Sequence, residues 1–171
     1  MPSQPTLSQS TEMPLSRQEW ELLVRLPRRV LVAATSAERD SGKHTVAEGL
    51  AGIESIAAGR ASNSRFVRQV VAAIYAEQDA ADDEPPAAEE FRDPASGIAA
   101  VLDETRAATQ VLNDRMPLTD AQAYGHWLLS IATSVCEAAR SGGFLGIGGA
   151  LITPAEQRFL DDLREVLHLG G

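Results

Sequence analysis

With 171 residues and 44% hydrophobic side chains, the chain is long enough for one domain with a full core. A formal net charge of −9 excludes nucleic-acid binding by charge, which needs a basic face, and an anionic membrane surface would repel the chain. Cys136 is the only cysteine, which rules out an intramolecular disulfide and suits a reducing, cytoplasmic location. No apolar run approaches the roughly 20 residues of a bilayer span.

Residues 1–14 are polar and rich in Ser, Gln and Pro, with neither the basic start nor the apolar stretch of a signal peptide. They read as a flexible tail. From residue 15 onward one pattern recurs: Ser or Thr, then Glu or Gln three residues later, then apolar residues at helical spacing. It occurs at Ser16–Glu19, Thr45–Glu48, Thr119–Gln122 and Thr153–Glu156. Each is a capping box, in which the hydroxyl accepts from an orphan backbone N–H and the Glu or Gln reaches back.

The first helix begins at Ser16, with Leu15 and Trp20 placed as a hydrophobic staple over the cap. Pro27 marks either a kink or the first turn of a second helix, which runs to about Arg39. Asp40-Ser41-Gly42 is a turn. The third helix starts at Thr45, buries Val46, Leu50, Ile53 and Ala57, and stops at Gly59. A fourth spans Asn63 to Ala76 on a stripe of Phe66, Val67, Val70, Val71 and Ile74. Residues 77–93 are rich in Asp, Glu, Ala and Pro and read as a solvated acidic loop, able to pair with Arg25, Arg28 and Arg29.

Asp93-Pro94 opens a fifth helix, with Asp as cap and Pro in the first turn. Its stripe is Ile98, Val101, Leu102, Thr105, Ala108 and Leu112. A sixth, capped by Thr119, carries Tyr124, Trp127, Leu128, Ile131 and Val135. The glycine-rich loop 141–150 follows, and a seventh helix begins at Thr153. Ala34-Thr35-Ser36-Ala37 and Ala132-Thr133-Ser134-Val135, each followed by a Ser-Gly turn and a Thr-x-x-Glu start, suggest an internal repeat.

Three segments compete for a chemical role. Gly143, Phe144, Leu145, Gly146, Ile147 and Gly148 combine backbone freedom with apolar side chains. Converging backbone N–H groups ahead of a helix could make a phosphate nest, but the dinucleotide fingerprint needs a preceding strand and the Walker motif a Lys, and neither is present; they read as a helix connector first, then as a contact for a partner or ligand, and last as an anion site. Asp40, His44 and Glu48 stand four apart, a spacing that could share a metal ion on one helical face. Gly42 breaks that face, however, and Glu48 belongs to its capping box, so a solvated turn accounts for them better. Glu137, Glu156, Asp161 and Asp162 are carboxylates of a kind that binds hard cations, and equally of a kind that lines an exposed helix. His126 lies ten residues before Cys136 on the same helix, about 15 Å away along the axis, too far to activate the thiol.

The block Ala138-Ala139-Arg140-Ser141-Gly142, continued by Ile152-Thr153-Pro154-Ala155-Glu156-Gln157-Arg158-Phe159-Leu160 and by Leu163 and Leu167, resembles the tellurite-resistance protein B-like family. There a helix ends in an Ala-rich stretch and an Asp-Gly turn, then a short connection leads to a capped, Leu-rich helix. The block from Ala37 to Glu48 is similar, with Asp40-Ser41-Gly42 at the turn. This chain departs in having Ser141 where the family has an acid, and an insertion from Phe144 to Ala150. The resemblance implies an all-helical fold, divalent-metal binding through acidic residues, and a stress-related role. Asp40, Glu48 and Glu156 are the residues to which the metal would fall.

The expectation is an all-α protein, an irregular single-domain bundle of about seven helices over residues 15–171. The function that best suits it is a non-catalytic, cytosolic interaction or scaffold protein, as a homodimer or with a protein partner and without nucleic acid or membrane. The alternatives are a divalent-metal-binding stress protein and a bundle enclosing a small molecule beside Trp20, Tyr124 or Trp127.

Overall fold

The computed structural model describes residues 14–37, 45–80, 93–141 and 152–169. The acidic segment 81–92, Asp40, the glycine-rich residues Gly143 to Gly148 and residues 1–13 lie outside these. Among the described residues the protein is all-α. Its helices are α1 (Arg17–Ser36), α2 (Thr45–Ala58), α3 (Arg65–Ala80), α4 (Pro94–Arg115), α5 (Leu118–Ser141) and α6 (Pro154–Val166), with a 3-10 turn at Gly59–Ala61.

Among the described residues six helices stand where seven were expected, because Pro27 neither ends α1 nor starts a new helix. A proline in a helix interior lacks an N–H and leaves the carbonyl four residues earlier without its partner. Here that carbonyl belongs to Leu23, and the hydroxyl of Tyr124 donates to it at 2.7 Å from α5. Leu23, Pro27 and Tyr124 are all buried. The helix therefore runs through Pro27 with its exposed backbone group satisfied from outside.

Two of the capping boxes are present with both reciprocal bonds. The Ser16 backbone N–H donates to Glu19 at 2.6 Å and the Glu19 N–H to the Ser16 hydroxyl at 3.2 Å. At α6 the Thr153 N–H donates to Glu156 at 2.8 Å and the Glu156 N–H to the Thr153 hydroxyl at 3.2 Å. Thr119, by contrast, is not a cap. Helix α5 begins at Leu118, and the Pro117 carbonyl accepts from the N–H groups of Asp120 and Ala121. The cap of α3 is Ser64, whose hydroxyl accepts from Val67 N–H at 3.2 Å and donates to Asp120 of α5 at 2.7 Å. Helix α3 continues to Ala80, so the first part of the expected acidic loop is helical. Helix α6 ends in a Schellman pair, with Leu169 N–H on Arg164 carbonyl and His168 N–H on Glu165 carbonyl. His168 takes the left-handed conformation there, at φ 54°.

Helix α5 packs against each of the other five helices, and α1 lies against α2, α3, α4 and α5. A continuous buried cluster draws on all six helices. At its centre the rings of Trp20, Phe66, Tyr124 and Trp127 form a chain of contacts, with centroids 6.3, 5.8 and 5.8 Å apart. Polar cross-links tie the perimeter. Arg25 and Arg29 of α1 both pair with Glu104 of α4, at 3.3 and 2.5 Å. Arg28 donates to the Ile74 carbonyl of α3 at 3.1 Å. Among the described residues the arginine cluster finds partners on α4 and α3; the acidic segment 81–92, with which it was expected to pair, lies outside them. A twofold relating α1–α2 to α5–α6 would lay α6 along α1 as α2 lies along α5; α6 instead packs against α4 and α5.

Candidate functional site

Helix α2 departs most from the expected burial, and the departure creates the candidate site. Val46, Leu50 and Ile53 do not face the core; they are 82%, 56% and 55% exposed. Its inward line is Glu48, Gly52 and Ile56, continued by Gly59 just beyond the helix. These residues recur every three or four positions, so they form one face as good as the opposite one.

Backbone proximity decides which face turns inward. A Cβ at Gly52 would stand 2.5 Å from Leu31 of α1 and 3.0 Å from Val135 of α5, and one at Gly59 would stand 2.8 Å from the Trp127 ring and from Val71. Only the glycine line allows α2 to settle this closely. The Trp127 indole N–H then reaches the Ser55 carbonyl at 3.2 Å. Turned the other way, Val46, Leu50 and Ile53 would hold the helix too far out for that bond.

The outward face consists of Val46, Ala47, Leu50, Ile53, Glu54, Ala57 and Ala58, all exposed except the half-buried Ala57. Glu54 is its one charged residue. An apolar stripe of this kind is ordinarily covered. Beside Ile53 the surface dips into a groove of about 230 Å³ between α1 and α3, lined by Leu31, Val32, Ile74 and Tyr75 among others. The rim is stiffened by Arg28 on the Ile74 carbonyl and by the Arg60 guanidinium 4.0 Å over the Tyr75 ring. Stripe and groove together make one apolar surface with few charges.

Of the three residues proposed for a metal, two are described, on different helices. Glu156 is buried with its carboxylate on the Thr153 N–H of its own cap, and Glu48 is buried on the inward side of α2. Asp40 lies outside the described residues. Among the described residues no group of three or more His, Cys, Asp or Glu side chains could hold a metal ion. The aromatic residues considered for a ligand cavity instead pack on one another, with Tyr124 and Trp127 buried and Trp20 at the edge of the core. The Tyr124 hydroxyl is held neutral by burial, which pushes its pKa well above the usual 10.0. A second groove, of about 620 Å³, opens where the C-terminus of α1 meets the first turns of α4 and α6, over Ile98, Leu102 and Phe159. Among the described residues no helix is long and apolar enough to cross a membrane.

The exposed stripe was the feature that sequence periodicity assigned to the core. The available signal was in its back: Gly52 and Gly59, seven apart, mark a close helix approach, which forces the bulky stripe outward. Comparison with protein-family models, with curated proteins and with solved structures finds no match to this chain.

Proposed function

We propose that this chain is a non-catalytic interaction protein that binds a polypeptide through the outward face of α2. The observation that carries the reading is the continuous exposure of Val46, Leu50 and Ile53 on a helix whose opposite face is already packed. Single exposed apolar residues are ordinary, but three on one helical stripe beside an apolar groove mark a contact surface. Leaving them in water forgoes a favourable transfer of about 1.5–3 kcal/mol for each side chain that a partner fully covers.

Photo-crosslinking in the producing cell tests this. A photoreactive residue at position 54, on the stripe, should give a covalent adduct with a polypeptide. The same residue at position 126, exposed on α5, should give none. No adduct from position 54 would end the proposal.

A further inference from the structure

We infer that the occupant of the α2 face is a second copy of this chain, docked antiparallel so that the two α2 helices pair about a twofold axis. The inference rests on the interaction reading above and names its partner.

The first support is spacing. Val46, Leu50, Ile53 and Ala57 follow one another at intervals of four, three and four. That is the seam of a two-helix coiled coil, and it reads the same in both directions. An antiparallel copy therefore sets Leu50 against Ile53 twice and Val46 against Ala57 twice, with no offset to absorb. A twofold interface requires this self-complementarity, because each contact must occur in both senses.

The second support is charge. Two chains at −9 repel, so a shared face must carry little negative charge. The α2 stripe carries Glu54 alone, and the adjoining groove brings Arg28 and Arg60 at its rim, of opposite sign to the chain's net charge. In the antiparallel register Glu54 stands level with Gly49 of the other copy, and the two carboxylates are offset by about 7.5 Å along the axis. A Cβ at Gly49 would meet no atom within 4 Å, so the space opposite Glu54 is open. Homodimer interfaces are more apolar than the general protein surface, as this stripe is.

The third is area. A stable dimer removes roughly 800 Å² from each partner. Three side chains fall short of that, and the adjoining groove walls, Leu31, Val32 and Tyr75, which Ile53 borders, are the surface that would supply the rest.

Light scattering on the purified full chain between 1 and 100 µM tests the inference. The wild type should give twice the 18.2 kDa chain mass. Because the partners share one sign of charge, the dimer should tighten as salt rises, whereas a cationic partner would be released. The double variant Leu50→Lys/Ile53→Lys should raise the dissociation constant by about 100-fold or more, with helical circular dichroism unchanged. Leu50→Cys/Ile53→Cys should form an intermolecular disulfide on oxidation. A wild type at 18.2 kDa throughout, or a lysine variant that still dimerises, overturns the inference. If that monomer nonetheless forms an adduct from position 54 with a different protein, the interaction reading stands and only the partner is wrong. With no adduct both fail.

Discussion

Tyr124 is held in the bundle by two separable debts, its ring to the aromatic cluster and its hydroxyl to α1. The ring lies 5.8 Å from Phe66 and 5.8 Å from Trp127, and a phenylalanine would keep both contacts. The hydroxyl serves the Leu23 carbonyl that Pro27 leaves without a helical donor. Tyr124→Phe should therefore cost about 1–3 kcal/mol, the penalty of a buried acceptor left without a donor. In a Pro27→Ala background the alanine N–H returns to that carbonyl, and the same substitution should cost about 1 kcal/mol less. Urea unfolding of the four proteins measures the coupling; strictly additive effects would show that the hydroxyl and the proline are independent.

At the scale of elements, α2 is positioned by what it lacks. Adding a methyl at Gly59 drives it to 2.8 Å from an indole ring and from a Val71 methyl, neither of which can rotate out of the way cheaply. Gly59→Ala should destabilise the protein by about 1–3 kcal/mol. Gly49→Ala, where a Cβ meets nothing, should instead stabilise it by up to about 1 kcal/mol through helix propensity alone. Thermal melts of the two variants decide the point, and equal shifts would remove the argument from close packing. The same helix shows where sequence reading runs out. Capping residues act locally, and so Ser16–Glu19 and Thr153–Glu156 were legible from spacing. Whether Pro27 breaks a helix depends on a tyrosine 97 positions away in the chain, which no local pattern contains. Which face of α2 is buried depends on Leu31, Val135 and Trp127. Periodicity locates the helix and is silent on its rotation, and the candidate site is a consequence of that rotation.

For the molecule as a whole, two groups that tie α1 to other helices bear on how its stability varies with pH. The first turn of α1 is held by Glu19, whose carboxyl lies below its usual 4.5 chiefly because it accepts the Ser16 backbone N–H, with further help from the Ser16 hydroxyl and from Arg115 of α4. A carboxyl lowered on folding contributes fully above its unfolded value of 4.5, and the contribution is lost as pH falls through the lower folded value. At the other limit Tyr124, raised well above 10.0 by burial, contributes fully below 10.0 and loses that contribution as pH rises towards the folded value. Stability should thus hold between these limits and fall outside them on two distinct limbs. Glu19→Gln should lower the urea midpoint at pH 7 and flatten the acid limb below 4.5, leaving the alkaline limb as it is. Tyr124→Phe should do the reverse above 10.0. Absorbance of phenolate adds an independent reading, because Tyr124 is one of only two tyrosines and should ionise only with unfolding. If both tyrosines titrate while the helical signal is intact, the buried hydroxyl is not the lock between α5 and α1 that the 2.7 Å bond to Leu23 describes.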